Sequence, residues 1–471
     1  MSSGLMPDQQ VRSAAVEGPP APSRSLAAPF SLALAWLVML GVCALWVSGG
    51  GVQEAASSVT GFFTSLGRLT GLLASAALLI QLAMMSRVPW LEQAWGQDEL
   101  ARGHRLVGLT SFTGMLVHIA LITIGYAAAQ PGQLWSTVVD LTLNYPGMLL
   151  AVAGTLALCL VVFTSLRAAR RRLRYESWHL IHLYGYLGAG LVLPHQLWSG
   201  QDFLTSPVAT VFWWSLWGLT ALLFLAFRIA LPLWRSRRAN LRVLAAYPDG
   251  PGLVSVIVGG PGVQRLGARG GQFFQWRFLS GPGWTRANPF SLSAAPRPDS
   301  LRFTAAVVGD GTARLATLQP GTKVLIEGPY GRLHPGARIR RDVLLIGAGV
   351  GITPLRALLE ALPYDGSAVT VIQRARSEAE APLAGEINEL AAHRGARHYL
   401  LLGHRVAGRD SWQSASHATW SDVDALRALC PDITGRDIFV CGPGPWIDAV
   451  LRALRLAGVP AAQVHSERFE I

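Results

Sequence analysis

Four histidines in this sequence lie in or beside apolar segments of membrane-spanning length, and they form two pairs. His104 and His118 are fourteen residues apart in one segment, and His182 and His195 are thirteen apart in another. An imidazole inside a bilayer is costly, so it indicates a functional site by default. At about 1.5 Å of rise per residue, the two histidines of each pair would lie roughly 20 Å apart along their helix. Two such helices side by side would hold two metal centres, one above the other across the membrane.

Haem iron fits this arrangement best, because it takes axial histidine ligands and lies between the helices of a bundle. In the first segment, the helical steps of about 100° fall about 40° short of four turns, so both imidazoles would share one helix face. In the second segment, His182 and His195 would be turned about 140° from each other. Pro194, Gly188 and Gly190 are residues that could rewind the helix locally and reduce this offset. His179, one turn before His182, is a competing ligand.

The first half of the chain is predicted to be a six-span helical bundle over residues 28–234. Each of its apolar runs is long enough to cross a hydrocarbon core about 30 Å thick. Because six is an even number of crossings, both ends of the chain would lie on the same side. The runs are 28–48, 67–85, 106–127, 147–166, 180–198 and 208–231.

The positions of the arginines predict which side faces the cytoplasm. The connectors at 49–60, 128–146 and 199–207 contain no Lys or Arg. By the positive-inside rule, the arginine-rich connectors and both termini are cytoplasmic, as expected for a multi-pass plasma-membrane protein. The net charge of +12 is thus mainly a topology signal, and no nucleic-acid partner is expected. The cytoplasmic connectors carry Arg87, Arg102, Arg105, Arg167, Arg170, Arg171, Arg172, Arg174, Arg235, Arg237 and Arg238.

The N-terminal segment and the cysteines add little chemistry. Residues 1–27 are rich in Ser, Ala and Pro, which predicts a disordered cytoplasmic tail rather than a signal peptide. The cysteines show no paired spacing, so no disulfide framework is expected. They are Cys43, Cys159, Cys430 and Cys441.

The soluble half is predicted to contain two domains. Short strand-like runs separated by Gly/Pro turns indicate an antiparallel β-barrel over residues 238–336. Its predicted strands are 241–246, 253–258, 272–278, 301–308 and 323–327. From 340 to 471, strands alternate with helical patterns, which is typical of an α/β parallel sheet covered on both faces. The predicted strands are 343–346, 368–373, 399–402 and 438–441, and the helices are 354–362, 382–393, 421–429 and 445–457.

A glycine-rich turn follows the first strand of the predicted α/β sheet. Gly347, Gly349 and Gly351 separate an apolar run from a helix start, where Thr353 would cap the helix and Pro354 would occupy its first position. Glycines let the backbone approach a pyrophosphate at a helix N-terminus. Such a turn between a strand and a helix predicts a dinucleotide site, and a tight turn without a ligand is the alternative.

Several motifs then occur in a characteristic order: 288–293 (NPFSLS), 309–312 (GDGT), 327–331 (EGPYG), 440–445 (VCGPGP) and 467–469 (ERF). They resemble the flavin and nicotinamide motifs of ferredoxin–NADP reductase-like modules. Behind a six-span histidine bundle, they make residues 28–471 similar to the NADPH oxidase / ferric reductase superfamily. The resemblance implies FAD, a nicotinamide dinucleotide and two b-type haems. It favours His182 over His179, with His104 and His182 on the inner haem and His118 and His195 on the outer haem.

The resemblance also assigns cofactor contacts residue by residue. The 288–293 segment would lie against the isoalloxazine and ribityl groups of FAD, and Gly311 and Thr312 would bind its pyrophosphate. Asn288 replaces the family's usual His or Arg, so Arg286 or Arg302 is the alternative source of positive charge. Phe469 would stack on the flavin. The other assigned residues are Pro289, Phe290, Ser291, Leu292 and Ser293 for FAD, Gly347, Gly349, Gly351 and Thr353 for the dinucleotide phosphates, and Cys441, Gly442 and Pro443 beside the nicotinamide ring.

The end of the second predicted strand favours NADPH over NADH. Arg374 and Arg376 lie where a 2′-phosphate would bind, and no acidic residue lies there to bind a 2′-hydroxyl. Two arginines can form paired hydrogen bonds with a phosphate. The alternative is a solvated loop in a protein that uses both nicotinamides.

Arg68 lies at the start of the second apolar run, toward the predicted outer face. An arginine near a membrane interface commonly extends its charge to the headgroups. The functional alternative is a partner for an outer haem propionate, or for an anion formed at the outer haem edge.

Together these features predict a membrane oxidoreductase that carries electrons from cytoplasmic NADPH through FAD and two haems to an outer acceptor. Ferric chelate and dioxygen are the candidate acceptors. One alternative is a membrane electron-donor subunit that supplies a redox partner protein. The other is a haem-free, membrane-tethered flavin reductase.

Overall fold

The computed structural model describes residues 26–128, 132–170, 172–173, 175–204, 206–281, 284, 286–363, 366, 368–406, 408–417 and 419–469. Most of the predicted disordered tail lies outside these residues, as do Arg171 and Arg174. The described chain forms two compact units, one over residues 26–231 and one from residue 232 to residue 469. They are called the membrane unit and the reductase unit below.

Every regular element among the described residues of the membrane unit is a helix. A π-helical turn, Leu225–Ala230, follows α10, and α11 (Leu231–Ala239) leads into the reductase unit. The helices before it are α1 (Ala27–Ser48), α2 (Gly51–Ser57), α3 (Val59–Met84), α4 (Pro89–Trp95), α5 (Gln97–Ala128), α6 (Leu134–Asn144), α7 (Met148–Ser165), α8 (Arg167–Arg170), α9 (Tyr175–Trp198) and α10 (Pro207–Phe224).

Five of the described helices are long and apolar enough to cross a membrane, whereas the sequence predicted six spans. They are α1, α3, α5, α7 and the helix that begins with α10 and continues to Ala239. The predicted fifth span, 180–198, lies in α9, which is long enough at 24 residues. Its histidines, tyrosines and glycines make α9 less apolar than the others. The sixth crossing therefore stays a prediction.

Helix packing in the membrane unit brings the histidine-bearing helices against partners rich in small residues. α3 packs along α5, and α7 packs along α9. α3 buries Ala74, Ala76 and Ala77, and small side chains allow close helix approach where burial in lipid gives little driving force. α1 and α10 also contact α3, around the buried Trp213.

The reductase unit begins with two three-stranded antiparallel sheets, ordered β1-β2-β5 and β4-β3-β6. Their apolar faces share one core that contains Phe274, Trp276 and Phe303. Isolated bridges link the sheets, but closure into the predicted barrel is not confirmed. The strands are β1 (Arg242–Pro248), β2 (Leu253–Gly259), β3 (Phe273–Phe278), β4 (Asn288–Ser291), β5 (Ser300–Ala306) and β6 (Val324–Tyr330), and a short helix α12 (Asp310–Ala313) follows β5.

A five-stranded sheet follows, all parallel, in the order β11-β10-β7-β8-β9. Its strands are β7 (Val343–Ala348), β8 (Val369–Arg374), β9 (Arg397–Leu401), β10 (Asp437–Pro443) and β11 (Val464–Phe469). α13 (Ile352–Ala361) and α14 (Ala384–Arg394) cover one face. α15 (Asp422–Leu429) and α16 (Gly444–Leu456) cover the other face.

The strand order places a crevice at the carboxyl ends of β7 and β10. The chain leaves β7 through α13 toward β8, and it leaves β10 through α16 toward β11. Adjacent parallel strands whose connections diverge form the usual ligand crevice of open α/β sheets. The predicted glycine turn and the CGP motif both lie at this point.

Candidate functional site

His104 of α5 and His182 of α9 face each other inside the membrane unit. Their ring centroids are 6.0 Å apart, and the rings are inclined by 63°. With metal–nitrogen bonds of about 2 Å, an ion bound by two imidazoles separates their centroids by roughly 6 Å. The spacing therefore fits the predicted inner pair.

Hydrogen bonds fix which nitrogen of two α5 histidines carries the proton. Nδ1 of His118 lies 2.7 Å from the carbonyl oxygen of Gly67, and Nδ1 of His104 lies 3.4 Å from that of Gln81. A carbonyl oxygen only accepts, so in both contacts the hydrogen belongs to Nδ1. Each Nε2 then carries a free lone pair, which is the arrangement found in metal-binding histidines.

The same reasoning applies to His182, through a serine. Ser165 Oγ donates its one hydrogen to the Val161 carbonyl at 2.7 Å. It can therefore only accept from His182 Nδ1 at 3.3 Å, and it also accepts from Trp178 Nε1 at 3.2 Å. His182 thus leaves Nε2 free. The competing His179 is exposed and interacts electrostatically with Arg228.

His195 completes the second pair. It lies close enough to His118 for their charges to interact. A Cβ added at Gly71 would lie 2.5 Å from His118 Nδ1, so α3 leaves room for the imidazole only because residue 71 is glycine. The structure thus brings His104 and His182 together and places His195 within electrostatic range of His118. Among the described residues no three His, Cys, Asp or Glu side chains form a metal-binding group. Haem needs only two axial ligands, so these residues fit it.

In the reductase unit, residues 347–351 (the phosphate turn) lie beside the CGP motif. A Cβ added at Gly351 would lie 2.5 Å from the carbonyl oxygen of Cys441. Glycine thus permits the turn to pass directly over the end of β10. This geometry places backbone groups of β7, β10 and the start of α13 around one crevice, where a dinucleotide phosphate would find N–H donors.

Comparisons with known proteins agree with this arrangement. Residues 70–193 match the family described as ferric reductase like transmembrane component. The chain is 32% identical over 211 residues to the ferredoxin reductase component of 3-ketosteroid-9-alpha-monooxygenase from Mycolicibacterium smegmatis, a match covering 44% of this chain and 57% of that protein. It is 31% identical over 219 residues to a flavohemoprotein from Xylella fastidiosa, covering 45% and 52%. A ferric reductase-like transmembrane domain precedes a ferredoxin reductase-like module. The predicted resemblance is confirmed at this level.

Solved structures with related shapes cover the reductase module. The FAD/NAD-binding domain of nitric oxide dioxygenase from Vibrio cholerae has a TM-score of 0.41 and 24% identity, covering 50% of this chain and 99% of that domain. The ferredoxin reductase in carbazole 1,9a-dioxygenase has a TM-score of 0.39 and 20% identity, covering 49% and 69%. The chain spans about half to two thirds of the length of the curated relatives it matches.

Within the reductase module, Arg374 is not available to a ligand phosphate. Its side chain is 5% exposed, and its guanidinium donates to the carbonyl oxygens of Ala375, Leu401 and Gly403. Burial, and then the charge of Arg405, lower the pKa of Arg374. This corrects the prediction, because Arg374 ties β8 to the end of β9. Arg376 is exposed, as the prediction requires.

Arg405 was missed by the sequence analysis. Arg405 follows β9 and lies close enough to Arg374 for its charge to lower the pKa of Arg374. Its ion pair with Asp410 is long, at 3.6 Å. The register of β8 against β9 would have indicated it, since both strands end at the same edge of the sheet.

Thr353 also differs from its predicted role. α13 begins at Ile352, so Thr353 is not the cap and Pro354 is its third residue. The threonine is 1% exposed, and its hydroxyl donates to the Val350 carbonyl at 2.9 Å. Phosphate contacts here would come from the backbone, with Gly347, Gly349 and Gly351 remaining predicted contacts.

Several side chains of the 288–293 segment, here called the flavin segment, are buried inside the protein. Asn288 and Pro289 retain accessible surface, whereas Phe290 stacks on Phe303 with centroids 4.8 Å apart. The remaining side chains are buried, which corrects the expectation that they face the flavin; only their backbone is placed to do so. They are Ser291, Leu292 and Ser293.

The other predicted FAD contacts have mixed outcomes. The Thr312 hydroxyl accepts from the amides of Val308 and Gly309 at 2.9 and 3.2 Å, so it holds its own turn. Gly311 has open space around it. Arg286 is exposed, whereas Arg302 is held by Glu386 and is not a free source of charge for FAD.

The predicted nicotinamide residues lie together at the ends of β10 and β11. Phe469 is paired in register with Pro443 and packs, partly buried, against the core of the parallel sheet, so its place over the flavin stays a prediction. Gly442 and Cys441 precede Pro443 in β10, but the Cys441 side chain is 0% exposed. The thiol lies within the sheet core, so its predicted contact with nicotinamide stays a prediction that needs local rearrangement.

Arg68 lies inside α3, which begins at Val59, before the predicted second run. It donates through Nε and Nη2 to both carboxylate oxygens of Asp202, at 2.8 and 2.5 Å, and through Nη1 to Glu54 at 2.5 Å. The sequence predicted a snorkelling side chain or a partner for an external anion. The observed ion pairs instead tie α3 to the turn after α9. A role with an anion stays a prediction.

Proposed function

We propose that this protein is a transmembrane flavocytochrome oxidoreductase. It would oxidise cytoplasmic NADPH, pass electrons through FAD and two b-type haems, and reduce an acceptor on the opposite side of the plasma membrane. The observation that carries this proposal is the facing of His104 and His182, with ring centroids 6.0 Å apart. Ferric chelate and dioxygen are the proposed acceptors.

The membrane unit would contribute ligands whose proton positions are already set. His104, His118 and His182 direct Nδ1 toward acceptors and leave Nε2 for iron. Haem, when bound, supplies reversible one-electron chemistry. The arginine-rich connectors favour a cytoplasmic reductase module. Outward electron flow would then gain roughly 2.3 kcal/mol per electron for each 100 mV of inside-negative potential.

The reductase module would bind the two organic cofactors around one crevice. The phosphate turn offers backbone N–H groups, and Arg376 offers a charge for a 2′-phosphate. Phe469 would cover the flavin until nicotinamide enters. FAD, when bound, accepts two electrons as hydride and passes them on singly. One relative is named as a ferredoxin–NAD(+) reductase component, so NADH remains the alternative donor.

A second candidate is an electron-donor subunit that reduces a partner protein. Several relatives are named as ferredoxin reductase components of monooxygenase systems, which favours protein acceptors for modules of this kind. Under this alternative, the purified chain would oxidise NADPH slowly with ferric citrate or oxygen, and adding the partner would accelerate it.

The deciding experiment is a pyridine haemochromogen assay on the purified full chain, together with its flavin content. Two haems per flavin are expected. A haem content near zero would overturn the flavocytochrome proposal and leave a membrane-tethered flavin reductase. NADPH oxidation with and without ferric citrate then separates a direct reductase from a donor subunit.

A further inference from the structure

The carboxylate of Glu386, in α14, pairs with two arginines from different parts of the reductase unit. Arg302, in β5 of the antiparallel sheets, donates to both of its carboxylate oxygens at 2.8 and 2.7 Å. Arg356, in α13 beside the parallel sheet, lies 2.8 Å from Oε2 through Nε. One carboxylate therefore joins the flavin-segment side of the module to the dinucleotide side.

A second carboxylate makes a parallel connection. Glu360 pairs with Arg356 one turn earlier in α13, and its Oε2 accepts the backbone N–H of Ala295 at 2.7 Å. Ala295 is the second residue after the flavin segment. One network, here called the clamp, thus contains Arg302, Arg356, Glu360 and Glu386. Each of its two carboxylates contacts the flavin-segment side of the unit and also Arg356 on the dinucleotide side.

The clamp connects to both cofactor-binding segments through short paths. Arg302 Nη2 donates to the carbonyl of Ser293, the last residue of the flavin segment, at 3.1 Å. Arg356 lies in the second turn of α13, which begins where the phosphate turn ends. A shift of Glu386 would therefore be transmitted to the flavin segment and to the phosphate turn together.

The charges of the clamp also stabilise one another. The Arg302 and Arg356 side chains are 15% and 9% exposed, and Glu386 is 32% exposed. Burial alone would raise the pKa of Glu386, but the hydrogen bonds and charges of the two arginines outweigh it and hold the pKa below its ordinary value. Removing this carboxylate would leave the buried guanidinium of Arg302 without its carboxylate partner, and Arg356 with Glu360 alone.

We propose that Glu386 is a positioning residue for hydride transfer: it sets the distance between nicotinamide and flavin by holding the two halves of the reductase module in register. This inference rests on the proposed function, because it requires a nicotinamide–flavin reaction. Hydride transfer depends steeply on the approach of the reacting atoms, and a displacement near 1 Å can cost about 100-fold in rate. Cofactor binding depends on each half separately and would change little.

The test uses the full-length protein in detergent and compares Glu386→Gln, Glu386→Asp and Asp432→Asn with wild type. Asp432→Asn is the matched control: it also deprives a buried arginine, Arg436, of its carboxylate, but that pair lies within the α/β domain at the opposite ends of its strands. The measurements are stopped-flow flavin reduction by NADPH, its primary isotope effect with deuterated nucleotide, flavin content and the Michaelis constant.

Glu386→Gln is expected to slow flavin reduction about 10- to 100-fold, with a larger isotope effect and near-normal flavin content and Michaelis constant. Glu386→Asp should recover part of the rate, and Asp432→Asn should lower the melting temperature without slowing flavin reduction. A Glu386→Gln protein with a normal reduction rate, or one that loses rate only in proportion to its flavin, overturns the proposal. If wild type itself binds no flavin or does not oxidise nicotinamide, the proposed function fails instead.

Discussion

The membrane unit and the reductase module present their functional residues in opposite ways. In the membrane unit, the chemistry belongs to individual side chains: His104, His118 and His182 each point a protonated Nδ1 at an acceptor and keep Nε2 free. In the module, motif residues such as Thr353 and Ser293 turn inward and leave the backbone at the crevice. A polar side chain inside a bilayer needs a function, whereas a polar side chain in a soluble domain often completes a turn. The identity of a motif residue is thus a more direct guide to chemistry in the first region than in the second.

The largest expected effect comes from breaking the histidine pairs. His118→Leu or His195→Leu should remove mainly the outer haem, because each deletes one of two axial ligands. The haemochromogen content should fall from about two to about one per flavin, and reduction of an external ferric chelate should stop. Flavin reduction by NADPH should persist, since its residues lie in the other unit. His179→Leu is the control, and a haem loss there as large as in His182→Leu would reverse the choice of inner ligand.

Arg374, the last residue of β8, and Arg376, just after it, test the contrast within one motif. Arg376→Ala should weaken NADPH relative to NADH by about 10- to 100-fold, because a charge-assisted phosphate contact contributes roughly 1.5–3 kcal/mol. Arg374→Ala should instead lower the melting temperature and leave the preference unchanged, since its donors are used by backbone carbonyls. Steady-state kinetics with both nucleotides measure the first effect and thermal unfolding the second. A wild-type protein that uses NADH equally well would contradict the assignment of Arg376.

The difference between these arginines also shows where sequence reasoning succeeds. The periodic patterns predicted the alternating strands and helices of the α/β domain, and α16 was expected at 445–457 and observed at Gly444–Leu456. Local patterns do not specify contacts between distant residues. Arg302 and Glu386 are 84 residues apart, and Arg68 and Asp202 are 134 apart. The ion pairs that occupy these arginines were therefore not predictable from the motifs that contain them.

Phe469 should produce a smaller, kinetic effect. An aromatic ring that covers the flavin competes with nicotinamide, and offset stacking contributes roughly 0.5–1.5 kcal/mol beyond burial. Phe469→Ser should therefore tighten nicotinamide binding by about 2- to 10-fold and make NADPH and NADH less distinguishable, with slower turnover because product leaves more slowly. Inhibition by the oxidised nucleotides, measured with flavin content, tests this. Lower flavin content or melting temperature with unchanged cofactor preference would show that Phe469 only packs the end of the sheet.

The smallest effect on the reaction concerns a partly buried imidazole of the reductase unit that has no assigned ligand. Burial, followed by the charges of Arg269, His465 and Arg332, lowers the pKa of His334 to about 4. The unfolded chain, with an ordinary histidine pKa of about 6.5, takes up this proton first as the pH falls. The contribution of His334 to the free energy of unfolding is therefore full above about pH 6.5. Below that pH it declines by roughly 1 kcal/mol per pH unit, down to about pH 4.

His334→Gln should flatten part of the pH dependence of the melting temperature between pH 7 and pH 5 without changing haem content, flavin content or cofactor preference. Replacing a membrane histidine of either pair should, in contrast, lower the haem content. If His334→Gln alters flavin reduction while leaving the pH dependence of unfolding as it was, this imidazole acts in the reaction. The contrast between a ligand imidazole and a structural one would then fail for His334.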